Sequence, residues 1–200
     1  MIITAFDPGK LTSYATFDTQ NPYCLRIGEL ELVGSGRMLR PCPMHAGEVL
    51  RDADVVLIEE VGPRPKEGVA SVYTFGIANG VVMGAAGVLG LPIEFVPANK
   101  WKTSARIGGL TGVEAKRAAL AYARQLWPEH LETFRKEASH GQADASLMAR
   151  WFFMKGPGSD VALPEDSFLR IDPAERKTPA RSRQLTVSSP VKRPAKKKAA

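Results

Sequence analysis

The chain predicts an α/β protein: a mixed five-stranded sheet flanked by helices and followed by a disordered basic C-terminal tail. Three observations predict it. Five apolar or alternating runs are too short for core helices and are bounded by turn residues. The first three strands follow one another through short turns, whereas the last two alternate with helical patterns, which is the order of a mixed sheet. Beyond residue 171 large apolar residues become scarce and Lys, Pro and Ser take over.

Ile2–Asp7 reads as a central strand, Pro8-Gly9-Lys10 as a turn, and Ser13–Phe17 as the returning arm of a hairpin. Leu25–Val33 alternates imperfectly through Leu25, Ile27, Leu30 and Leu32 and predicts an edge strand. Pro41–Arg51 is polar enough for a short surface helix. Asp54–Glu59 is a β-branched run expected as a buried parallel strand. Val69–Leu89 follows as a long helix and Ile93–Val96 as the fifth strand. Lys100, Lys102 and Arg106 surround Trp101 before a Gly-rich turn. Val113, Leu120 and Trp127 recur every seven residues, so Val113–Trp127 is helical until Pro128 ends it. In Gly141–Met154, residues Asp144, Leu147, Met148, Trp151 and Phe152 fall on one helical stripe, which puts Asp144 at its leading end on the core side.

From Gly68 to Ile93 no residue is charged, a length sufficient to span a bilayer. Asn79, Ser71, Thr74 and several glycines, with ordinary globular sequence on both sides, favour a buried helix and no membrane partner. Gly76, Gly80 and Gly84 put a smooth stripe on one face of that helix, suited to close approach by a sheet or by a second helix.

The formal charge of +6 is unevenly placed: residues 171–200 hold nine Lys/Arg against Asp172 and Glu175, leaving eighteen Lys/Arg and nineteen Asp/Glu for the rest. The basicity belongs to the tail, where it adds sequence-independent attraction to phosphates or serves solubility alone. The organisation expected is a folded domain over 1–155, a connecting segment over 156–170 and a disordered tail over 171–200. Cys24 and Cys42 lack metal-ligand spacing and read as reduced. With Asp7 and Lys10 interrupting any leader-like start, this gives a cytoplasmic expectation.

Asp7 closes the first strand, Glu59 closes the fourth, and Asp144 lies on the inward face of the last helix. Singly, each has an ordinary reading. Asp7 can open the Pro-Gly turn, either Glu59 or Glu60 can be a solvated strand end, and Asp144 can complement a helix dipole. Together they are costly unless a positive charge neutralises them, and divalent cations doing phosphoryl-transfer chemistry fit that need.

Ala5-Phe6-Asp7-Pro8-Gly9, Leu57-Ile58-Glu59-Glu60-Val61 and Ala143-Asp144-Ala145-Ser146-Leu147-Met148-Ala149 resemble the three acidic motifs of RuvC-type Holliday-junction resolvases, which have the RNase H-like fold. Gly68–Gly76 and Val96-Pro97 through Trp101-Lys102 resemble phage and prophage versions. The resemblance covers about residues 1–155. It implies Asp7, Glu59 and Asp144 as metal ligands, with Glu60 where the family tolerates a neutral residue. Members often carry an acid or a histidine three residues before the last aspartate. Here that position is Gly141, and His140, four before, becomes the fourth catalytic residue, as base or as ligand. Lys102 and Lys116 match family lysines, after the fifth strand and at the start of the next helix, and are candidate phosphate contacts or simply exposed helix charge. The family's aromatic residue after the second acidic motif has no counterpart at Gly62 or Pro63, leaving Tyr73 or Phe75 as substitutes or as core.

What the resemblance implies is a Mg²⁺-dependent endodeoxyribonuclease that resolves four-way junctions as a homodimer. Two ions about 4 Å apart serve each active site, Mn²⁺ substitutes, and Arg64, Lys66, Lys102, Arg106 and Lys116 frame the DNA. The alternatives are a nuclease for flaps, forks or RNA–DNA hybrids, and a catalytically inactive branched-DNA-binding protein. An actin-like kinase is disfavoured, because the chain is too short for two lobes and shows no second phosphate loop.

Overall fold

A computed structural model describes residues 1–60, 62 and 68–155. Its first strand, β1 (Ile2–Asp7), is followed by β2 (Ser13–Asp18) and β3 (Asn21–Glu29), paired antiparallel in succession. A two-stranded ribbon, β4 (Leu32–Val33) with β5 (Arg40–Pro41), leads into α1 (Pro43–Leu50), which carries proline in its first turn, where no intrahelical donor is needed. β6 (Val55–Glu60) pairs parallel to β1, and α2 (Val69–Val88) crosses over to β7 (Ile93–Pro97), parallel to β6. The order β3-β2-β1-β6-β7 makes the expected mixed five-stranded sheet. Then come α3 (Ala98–Ser104), α4 (Gly112–Leu126), α5 (Leu131–Phe134) and α6 (His140–Lys155). This is an RNase H-like α/β fold.

Strand alternation divides the side chains between two layers. Phe6, Val56 and Ile58 join Leu50 of α1 and Val82 and Ala86 of α2 in one apolar cluster. The opposite parity of β1 and β2 faces α6, where Phe17 meets Phe153 with ring centroids 5.2 Å apart. Asp7 continues the Ile3 and Ala5 face, and Glu59 the Val55 and Leu57 face, so both acids end strands on the α6 side.

The elements differ from expectation in four places. The third strand begins at Asn21 rather than Leu25, because the tight turn after β2 (Gln20 N donating to Asp18 Oδ1, 2.9 Å) starts the pairing at once. It breaks before Leu32, which joins the separate ribbon. The cationic stretch after β7 is helical over Ala98–Ser104, a segment whose single buried residue, Trp101, gives no periodic apolar signal.

The fourth difference is α2. It buries only Ala78, Val82 and Ala86 and leaves Val69, Tyr73 and Val88 more than half exposed. A Cβ added at Gly76, Gly80 or Gly84 would meet nothing within 4 Å, so the glycine stripe borders open space rather than the sheet. By length and composition α2 is apolar enough to cross a membrane. Here it bridges two hydrogen-bonded strands and packs on α1.

Candidate active site

The acids meet because of register. β1 and β6 pair through Phe6 opposite Ile58, so the next rung beyond that pair carries Asp7 and Glu59 on one face. Glu60 has the other parity and is exposed. Of the two adjacent glutamates, Glu59 is thus the one that shares the Asp7 face. Asp144 approaches from α6, one turn after its start at His140.

Electrostatics show the convergence. Burial raises the Asp7 carboxyl well above its ordinary range; the charges of Glu59 and Asp144 raise it further, Lys102 opposes them, and a hydrogen bond with Glu59 favours the protonated form. Asp144 is pushed up to about 7, by burial first and the Glu59 charge second, against Lys102 and Lys116. Asp144 Oδ1 is buried without a hydrogen-bond partner. Two aspartates whose proton affinity is raised by burial and by the Glu59 charge, one with an unsatisfied buried oxygen, form with Glu59 a donor set suited to a hard divalent cation. Among the described residues, no group of three His, Cys, Asp or Glu is closed up tightly enough to hold an ion. A bound cation would offset the Glu59 and Asp144 charges that raise the Asp7 carboxyl.

The cations divide into groups. Lys102 on α3 and Lys116 on α4 both act on Asp144, and Lys102 also on Asp7. Arg106 lies beyond α3 with a φ of 56°, exposed. Arg64 and Lys66, like the segment 156–170 and the tail 171–200, lie outside the described residues. His140 directs Nδ1 to the Glu137 carbonyl, 3.1 Å away, and is not among the groups that shift Asp7 or Asp144. A carbonyl only accepts, so Nδ1 carries the proton and Nε2 is the nitrogen left for other partners. Tyr73 is 58 % exposed and its hydroxyl accepts from Arg40 Nη2, so it is not core. Cys24 and Cys42 are free thiols.

Two residues here escaped the sequence reading. Trp101 Nε1 donates to Glu59 Oε1 at 3.2 Å across 42 positions of sequence; its neighbour Lys102 was the one hint. Gly141 is a close-approach glycine. A Cβ there would lie 2.6 Å from Ser13 Oγ and 2.9 Å from Asp7 Oδ2. Any side chain at this position would have to displace the Ser13 hydroxyl and the Asp7 carboxylate, so glycine lets α6 approach the β1–β2 hairpin closely.

The fold and the acid cluster together define an RNase H-like protein with carboxylates at the carboxyl ends of neighbouring strands. An 87-residue stretch is 36% identical to "Holliday junction resolvase MOC1, chloroplastic" of Chlamydomonas reinhardtii, covering 44% of this chain and 10% of that protein. The chain thus spans about a tenth of that relative's length. Thermus thermophilus RuvC superposes with a TM-score of 0.50 at 20% identity, over 78% of this chain and 97% of that one. The same protein in complex with a Holliday junction substrate gives 0.53 at 18% identity, with the same coverage. No protein-family model matches the chain. The chain is accordingly similar in part of its sequence to a Holliday-junction resolvase and shares the RuvC fold.

Proposed function

We propose that this protein is a Mg²⁺-dependent endodeoxyribonuclease that cuts branched DNA, four-way junctions foremost. The observation that carries the reading is the convergence of Asp7, Glu59 and Asp144, three acids from distant segments, with the Glu59 charge raising the proton affinity of both aspartates. Similarity over part of the chain to one Holliday-junction resolvase, and in fold to RuvC in complex with a Holliday junction substrate, supports the choice of DNA.

Asp7, Glu59 and Asp144 would together hold the divalent ions. Such ions supply an activated water and neutralise charge on the phosphate and the departing 3′ oxygen. The chain's own part is to hold these oxygens at two strand ends and one helix. Lys102 and Lys116 offset the acids' charge and draw in the phosphate backbone, with Arg106, Arg64 and Lys66 extending the basic frame. His140, with Nε2 as its acceptor nitrogen, would take a proton from water or serve as a further ligand. The exposed face of α2, with Val72, Tyr73, Met83 and its open glycine stripe, would pair two copies about a two-fold axis, matching paired cuts on a symmetric junction.

A second reading, a branched-DNA-binding protein without cleavage, is favoured by the absence of a closed ligand cluster among the described residues. Titrating Mg²⁺ over a panel of four-way junction, flap, fork, RNA–DNA hybrid and linear duplex tests both. Metal-dependent product with 5′-phosphate ends, greatest on the junction, is expected. Binding without product at any Mg²⁺ or Mn²⁺ concentration would establish the second reading.

A further inference from the structure

Trp101 is completely buried, and its indole is engaged twice. Nε1 donates to Glu59 Oε1 at 3.2 Å, and the ring face carries Lys102 Nζ 5.0 Å from its centroid. The fold explains how. Glu59 pairs in register with Val96 on β7, and α3 starts immediately after that strand, so its first turn carries Trp101 back beside Glu59. One rigid ring therefore sits between an acid of the site and the cation that offsets the acids' charge.

We infer that Trp101 is a positioning residue of the metal site. An indole N–H donates and never accepts, so it occupies one carboxylate oxygen and leaves Glu59 Oε2 to face a divalent cation in one fixed orientation. The ring face, attractive to cations, holds the Lys102 ammonium beside the acids without making it a rigid ion pair. Lys102 stays close enough to lower the proton affinity of both aspartates and remains free to meet a phosphate. The inference rests on the proposed three-acid site and adds the group that orients one of its members.

A large buried tryptophan also fills space, so the test must keep the ring. Replacing Trp101 by β-(3-benzothienyl)alanine substitutes sulfur for the N–H with nearly unchanged volume. Mn²⁺ binding to the full chain without DNA is followed by the loss of the free-ion paramagnetic resonance signal, with circular dichroism verifying the fold. The expected result is Mn²⁺ affinity weaker by about 10-fold, the lower end of what losing an outer-sphere partner costs. Trp101→Phe, which also lacks the donor but keeps a ring face for Lys102, should weaken Mn²⁺ similarly while leaving the salt dependence of junction binding in Ca²⁺ unchanged. Wild-type Mn²⁺ affinity in the folded benzothienyl variant would overturn the inference. Failure of the wild type itself to bind Mn²⁺ is a separate result, defeating the three-acid site and this inference with it.

Discussion

Asp7 and Glu59 stand side by side one rung beyond the Phe6–Ile58 pair, where two parallel strands end facing α6, and the Glu59 charge raises the proton affinity of the Asp7 carboxyl. Neither acid is near the other in sequence. The parallel register alone unites them, and α6 adds Asp144 from above.

This arrangement has a stability signature. Asp144 titrates near 7 in the fold against an ordinary 3.8, so between these values the folded chain holds a proton that the unfolded chain has lost. Stability without metal is thus greatest below about pH 4 as far as this group is concerned, and falls as pH rises through 7. The full shift would be worth at most about 4 kcal/mol, less at a half-buried, screened group. Asp144→Asn should flatten the fall, and Mg²⁺ should restore stability at pH 8; thermal melts from pH 4 to pH 8 check both.

Gly141 predicts a steric effect. Gly141→Ala puts a methyl group against Ser13 Oγ and Asp7 Oδ2, at a cost of about 1–3 kcal/mol where the contacts cannot give. Chemical denaturation should show this loss, and Ser13→Gly in the same chain should recover part of it. A neutral Gly141→Ala would mean that α6 shifts freely over the hairpin.

The two lysines predict a salt effect. Lys102→Ala and Lys116→Ala should each weaken junction binding at low salt and reduce the slope of log K against log salt by about one. Measuring the slopes in Ca²⁺ keeps binding apart from cleavage. An unchanged slope for either variant would remove that lysine from the DNA frame.

The open face of α2 predicts self-association. Gly80→Arg, placed where a Cβ meets nothing within 4 Å, should leave the monomer folded yet abolish pairing. Sedimentation should then show a dimer for the wild type and a monomer for the variant. Dimers in both would move the interface elsewhere.

Much of this was legible in the sequence, for identifiable reasons. Asp7 and Asp144 stand out because apolar periodicity marks the ends and faces on which they sit. Glu59 and Glu60 could not be separated by alternation alone, since that needs the phase of β6, which pairing with β1 supplies. Trp101 was invisible as a partner of Glu59 because its hydrogen bond spans 42 positions and depends on where α3 turns back. The uncharged run of α2 suggested burial, yet apolarity does not say what covers a helix, and α1 and the sheet cover only one side. Gly141 gave no signal, because a glycine needed for contact looks the same in sequence as one needed for a turn.

The central claim is tested most directly by Asp7→Asn, a substitution that keeps size and removes one charge. Cleavage and binding of a labelled four-way junction are measured in the same preparation, in Mg²⁺ and in Ca²⁺ respectively. A metal-holding role for Asp7 predicts cleavage below about one hundredth of wild type, a larger loss than an outer-sphere partner produces, with junction affinity retained. Undiminished cutting by Asp7→Asn would contradict it.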